Sequence, residues 1–318
     1  MTLERITRRR FVATMAGSIV LPPLLAQDIF PSRQIRIITP LPAGGSADVV
    51  MRTLAIPLAE SLKQPVIVEN RPGGQFKVAM NALQSAPGDG HTLMFMFNSQ
   101  VAVQVTEKLF NLEEETTPIM QVARTPIMLV VRADSPFTTV RELVAHSRAN
   151  PGKLNFGTLG PGSIDHLKMV QIEKAAGMSA VAVPYRGGPD MLKGLLGGEV
   201  DCFLSPGIFA KSFHGSGSGK LRSLAAMGAE RWAEFPNVPT MRESGVQVPP
   251  IEYWLSLVAR RGAPADAIQR LHRECQAALR LPSVVKTLEA SAHYATPEST
   301  PQALRELLRS ELTWMSAL

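Results

Sequence analysis

The chain has 318 residues, 45% of them hydrophobic and 19% charged, which is enough apolar material for about two packed domains and excludes general disorder. Two cysteines 73 positions apart exclude a disulfide scaffold and a zinc–cysteine site, and no apolar run reaches the ~18 residues of a membrane-spanning helix. Of the net charge of +6, residues 1–26 carry +3 and the remaining basic residues are dispersed, so the balance does not point to nucleic acid and at most favours a small anionic ligand.

Residues 1–26 read as an address. Arg8, Arg9 and Arg10 form a basic head, 11–26 are mainly apolar, and Gln27-Asp28 turn polar. That is a secretory signal with cleavage after Ala26. The stretch TRRRFV fits a twin-arginine signal, and a general secretory signal with one extra arginine fits as well.

Beyond it, short apolar runs alternate with helical periods. Strands are expected at 35–39 (IRIIT), 65–69 (PVIVE), 93–97 (LMFMF), 127–131 (IMLVV), 154–157, 180–184, 200–204, 221–226 and 253–259. Helices are expected from about Ser46 and at 140–149, 164–176, 191–196 and 265–279. Buried strands alternating with helices predict parallel βαβ units. Val50, Leu54, Leu58 and Leu62 mark one helix face, but Pro57 interrupts it. An interior proline removes a hydrogen bond, so a kink or broken turn is expected near 53–57.

Four loops could carry chemistry. PLPAGGSAD at 40–48 follows a strand and opens a helix, with Gly44 and Gly45 allowing close backbone approach and Ser46 placed as an N-cap. Free N–H groups at such a helix start bind anions. GTLGPGS at 157–163 repeats the context, with Ser163 as N-cap and His166 in the first turn, a position where histidine usually serves structure. Asn98-Ser99 and YRGG at 185–188 complete the set. All four fall at the carboxyl ends of strands, where open α/β sheets bind ligands. There is no G-x-S-x-G, H-E-x-x-H or Walker motif. Cys202 and Cys275 read as buried free thiols, and His272 as solvated.

The ordered set of segments resembles the Bug family, the periplasmic solute-binding proteins of tripartite tricarboxylate transporters. The resemblance rests on PSRQIRIITPLPAGGSAD, QPVIVENRPGG, PGDGHTL, NPGKLNFGTLGPGSIDHL, VPYRGG, GKLRSLA and FPNVPTMRESG, and spans about residues 31–315. It implies a type II periplasmic binding protein, two α/β lobes around a cleft joined by crossover strands, here IMLVV and EYWLSLVA. Domain one would combine 27–130 with 252–318, and domain two would be 131–251. It implies a monomer that binds a small carboxylate, held by main-chain groups, with no cofactor or metal. The ligand would pass to the membrane subunits of a tripartite tricarboxylate transporter or to a sensor. By position, Gly44, Gly45, Ser46, Asn98 and Ser99 carry over from domain one, and Gly162, Ser163, His166, Arg186 and Gly187 from domain two. Ser205 stands where many members have an aspartate, and the segment after RPGG is short; both bear on the ligand's distal end. The competing reading is an exported hydrolase using Ser163 and His166. Those two lie within one helical turn with no third orienting group, and no oxyanion loop is evident.

Overall fold

The computed structural model describes residues 30–214 and 218–317; the expected signal at 1–26 lies outside them. In chain order the first stretch comprises β1 (Ile35–Thr39), α1 (Ser46–Leu62), β2 (Val66–Asn70), α2 (Lys77–Gln84), β3 (Thr92–Phe97), α3 (Asn98–Glu107), α4 (Leu112–Glu115) and β4 (Thr116–Thr125). The middle stretch comprises β5 (Ile127–Arg132), α5 (Val140–Ala149), β6 (Leu154–Thr158), α6 (Ile164–Ala176), β7 (Ala180–Pro184), α7 (Gly188–Gly197), β8 (Cys202–Pro206), α8 (Gly207–Phe213) and β9 (Leu221–Ala226). The chain ends with β10 (Tyr253–Arg260), α9 (Ala265–Leu279), α10 (Pro282–Ala290), β11 (Tyr294–Ala295) and α11 (Pro301–Met315).

These elements build two α/β lobes. The first sheet has the order β11-β4-β10-β3-β1-β2, and the second β7-β6-β8-β5-β9. In the first, β1 lies between the parallel strands β2 and β3, while β10 runs antiparallel to β3 and β4. All six residues of β3 are buried, which its unbroken apolar run requires of a strand covered on both faces. In the second, β7, β6 and β8 run parallel and β5 is antiparallel to its neighbours β8 and β9. The sheets divide the chain at Pro126. Among the described residues the run IMLVV pairs only with β8 and β9, so the expected division at 130 falls inside a strand of the second sheet. The strand that leads up to Pro126 is β4, which the sequence reading passed over.

There is a physical reason why β4 is hard to see. Pro118 cannot donate to a ladder and argues against a central strand. Here it pairs opposite Val258 at a register shift between Leu257 and Val258, where a bulge absorbs the missing bond. Of the kink or broken turn expected near 53–57, the broken turn does not occur. The α1 helix continues through it from Ser46 to Leu62, and Val50, Leu54, Leu58 and Leu62 are all buried, packing among other places on α9. Tertiary burial of that face outweighs the lost bond. Cys202 and Cys275 are free and buried, as expected. His272 is half-buried rather than solvated, its Nε2 lying 2.9 Å from the Ser299 carbonyl.

Candidate functional site

The carboxyl ends of β1, β3, β6, β7 and β8 converge between the lobes. There a cavity is lined from the first lobe by Leu41, Gly45, Ser46, Ala47, Phe95, Phe97, Tyr253 and Leu255, and from the second by Leu159, Gly188, Pro189, Met191, Leu204, Pro206 and Phe209. The lobes close tightly around it. Gln75 Nε2 donates to the Pro161 carbonyl at 2.8 Å, and a Cβ on Gly187 would lie 2.4 Å from Pro42 Cδ. Lys168 of α6 donates to the Pro249 carbonyl at 3.2 Å and sits 5.0 Å over the Trp314 ring of α11. Burial lowers its pKa to about 8, opposed by Glu311.

The loop after β1 is shaped by its own side chains. Gly44 sits at φ +79°, where a side chain would be strained, and its N–H donates to Asp48 Oδ2 at 3.0 Å. Asp48 also accepts from Arg52 and Asn70. Burial pushes the Asp48 carboxyl up, but these donors outweigh it and hold it below the ordinary carboxylate range. Asp48 thereby fastens the turn. Gly45 rather than Ser46 is the N-cap of α1, with φ −90°. Of the two glycines, Gly44 takes the left-handed conformation and Gly45 does not, and a side chain at 45 would approach Pro189 Cδ at 3.4 Å. The first bond of the helix ladder runs from Val49 N to the Gly45 carbonyl, so the N–H groups of Ser46, Ala47 and Asp48 precede it. Two of those residues line the cavity.

The Ser46 hydroxyl is taken by His293 Nε2 in a short hydrogen bond. On the other side of the ring, Ser291 Oγ lies 3.1 Å from Nδ1 and spends its own proton on the Thr287 and Leu288 carbonyls. Ser291 must then accept from Nδ1–H, which leaves Nε2 bare to accept from Ser46. Burial pushes the His293 pKa down to about 4, so the ring is neutral. Ser46→Ala should therefore act first on stability. It strands a buried ring nitrogen, which costs on the order of 1–3 kcal/mol, readable as a fall in the chemical denaturation midpoint.

The other expected residues fall as follows. Asn98 and Ser99 open α3 immediately after Phe97 and are fully buried; Asn98 Nδ2 donates to the Glu252 carbonyl at 3.1 Å, while Asn98 Oδ1 and Ser99 Oγ have no protein partner. Gly162, at φ +72°, packs against Thr106 of α3, where a Cβ would lie 2.0 Å from Oγ1. Ser163 stands at the N-cap of α6 but makes no capping bond with its side chain; its hydroxyl donates to the Gly160 carbonyl at 2.6 Å. His166 Nδ1 accepts from Gly162 N at 3.3 Å, and its ring stacks over Phe156. Gly187 caps α7 at the lobe contact. Arg186 is exposed and lies in a separate hollow beyond Leu159, beside Gly74, Gln75 and Tyr185. Ser205 is buried, its hydroxyl 3.0 Å from the Pro206 carbonyl, between two residues that line the cavity. The apolar members of the wall were missed by the sequence reading, because in LMFMF and DCFLS they are indistinguishable from core.

Asp165 was also missed. It is fully buried, and Oδ2 accepts from Leu159 N at 2.7 Å. Burial raises its pKa despite that bond. The carboxylate ties down the backbone of a residue that lines the cavity.

Two α/β lobes closed on a cavity at their strand ends, with a helix N-terminus opening into it, define a bilobed solute-binding protein. The model of the tripartite tricarboxylate transporter family receptor matches residues 50–313, and the chain belongs to that family. BugT of Bordetella pertussis is 32% identical over 309 residues, covering 95% of this chain and 92% of BugT. Among solved structures, MatC from Rhodopseudomonas palustris with bound malate superposes with a TM-score of 0.84 at 25% identity, covering 91% of this chain and 99% of that one. R. palustris Rpa4515 with adipate superposes at 0.83 with 27% identity, covering 89% and 95%. The fold is that of the periplasmic binding proteins, as the resemblance implied.

Proposed function

We propose that this chain captures a small carboxylate in the interlobe cavity, in the periplasm, and releases it unchanged. The acid group is held on the main-chain N–H groups at the start of α1, and closure of the lobes buries the rest. Delivery is to the membrane subunits of a tripartite tricarboxylate transporter or to a sensor protein. The observation that carries this reading is the cavity itself, into which Ser46 and Ala47 of a 17-residue helix open. Malate and adipate on two relatives support the ligand class.

Binding without chemistry agrees with the side chains present. The Ser163 hydroxyl is committed to Gly160, and His166 Nδ1 to Gly162 N–H, so the two do not form a nucleophile–base pair. Tyr253, on the cavity wall, is held protonated far above its ordinary range by burial, with Asp165 adding to the effect.

A thermal-shift screen over mono-, di- and tricarboxylates tests the reading, followed by mass spectrometry of the recovered compound. A ligand at 100 times its dissociation constant adds about 2.7 kcal/mol of stability, which is easily read. Stabilisation with the compound recovered intact is the expected result. A new product would overturn it in favour of catalysis, and no stabilisation by any carboxylate would overturn the ligand class.

A further inference from the structure

We infer that the ligand is a monocarboxylic acid whose body is a single apolar group, an aromatic ring or a branched chain of similar size, rather than a di- or tricarboxylate. This rests on the proposed reading for the acid end and extends it to the rest of the molecule.

Apart from the starts of α1 and α7, the lining is mainly hydrocarbon and aromatic. Phe95, Phe97 and Tyr253 come from one lobe and Met191, Leu204 and Phe209 from the other. The aromatic side is already ordered: Phe95 and Phe97 stack with centroids 5.4 Å apart, and Phe97 meets Tyr253 edge-on at 6.3 Å. A flat ring entering this arrangement continues it with favourable edge and face contacts. A second carboxylate would be stripped of water against phenyl rings and a thioether. An ionised group so placed is strongly disfavoured unless it is paired.

The cations do not relieve this. Arg186 is exposed, in the hollow on the far side of Leu159, and His293 is a neutral ring already bonded on both nitrogens. The main-chain N–H groups of the cavity come from the start of α1 and from Gly188 at the start of α7, which are neighbours (a Cβ at Gly45 would lie 3.4 Å from Pro189 Cδ), and the Tyr253 hydroxyl on the wall is uncharged, so a ligand with one charged end matches them.

Titration calorimetry on the mature chain separates the possibilities. The probes are benzoate, cyclohexanecarboxylate, malate, adipate and citrate. We expect benzoate or cyclohexanecarboxylate to bind at least about tenfold more tightly than the other three, a preference of about 1.4 kcal/mol. Malate, adipate or citrate binding as tightly or more tightly would overturn the inference while leaving the carboxylate reading in place. Binding of none of the five while other carboxylates stabilise the protein would overturn the inference alone, and failure of every carboxylate would overturn both. A second readout is Met191→Gln, which puts an amide of similar shape into the wall. The ratio of benzoate to malate affinity should fall at least threefold, with the ligand-free denaturation midpoint reporting that the variant folds; an unchanged ratio in a folded variant would contradict the placement of the apolar body. If that variant does not fold, the five-ligand comparison decides.

Discussion

Gly187→Ala should weaken carboxylate binding by about one to two orders of magnitude without destabilising the ligand-free protein. Gly187 has φ 176°, extended backbone that alanine adopts freely. The added methyl would meet Pro42 Cδ at 2.4 Å and Cγ at 3.0 Å, both in the other lobe. Proline is a stiff ring at the head of the α1 loop, so neither partner can give way locally. Overpacking of this kind costs typically 1–3 kcal/mol, and here it falls only on the closed arrangement. The lobes can avoid it by standing apart, so the cost appears in affinity and not in the unfolding of either lobe. Gly44→Ala is the contrasting variant. It has empty space around it but φ +79°, so it strains the loop in every state and should lower stability as well. Calorimetry and denaturation of the two variants side by side check both statements.

Acid should destabilise the protein through His293 before the carboxylates with lowered pKa values titrate. The native ring has its pKa near 4, whereas an unfolded histidine titrates near 6.5. Between those values the unfolded chain binds the extra proton. The contribution is therefore complete above about pH 6.5 and is lost as the pH falls toward 4, amounting to at most roughly 3 kcal/mol. Asp48, Asp89 and Glu243 have lowered carboxyl pKa values and lose their contributions only at lower pH. His214 titrates in the same direction as His293, its pKa lowered by burial and by Arg222. The comparison is thus between the native chain and His293→Gln. Urea midpoints from pH 7.5 to 4.5 should fall steeply in the first and distinctly less in the second. Parallel curves would contradict the assignment.

What the sequence discloses depends on whether a residue's task is local. The strands IRIIT and LMFMF and the loop between strand and helix at 40–48 are local patterns, and they point to the α1 N-terminus from the residues alone. The ordered motifs led to the family. Where neighbours in space decide, the reading failed in definite ways. Pro118 hid β4, because a proline argues against a central strand and its place opposite Val258 of β10, at a register shift, is set by a partner far along the chain. Pro57 suggested a broken helix, because burial of the α1 face was not in view. Ser46 looked like a cap, but its partner His293 is 247 residues away. The α11 helix is different: Thr300 and Pro301 form a clear start signal, with the Thr300 side chain accepting from Ala303 N at 3.0 Å, and it could have been read. The site shows the same split. Gly45 and Ser46, which line the cavity, belong to a local strand–loop–helix pattern, whereas the apolar wall is assembled from both lobes.

The claim on which the account turns is that main-chain N–H groups at the start of α1 hold the acid group. Amide-resolved NMR of the labelled protein, titrated with the tightest carboxylate from the screen and with its uncharged amide analogue, tests it directly. The account predicts that the N–H resonances of Ser46 and Ala47 move to low field with the carboxylate and far less with the amide. Shifts that leave those two residues unmoved and gather instead at the Arg186 guanidinium would contradict it.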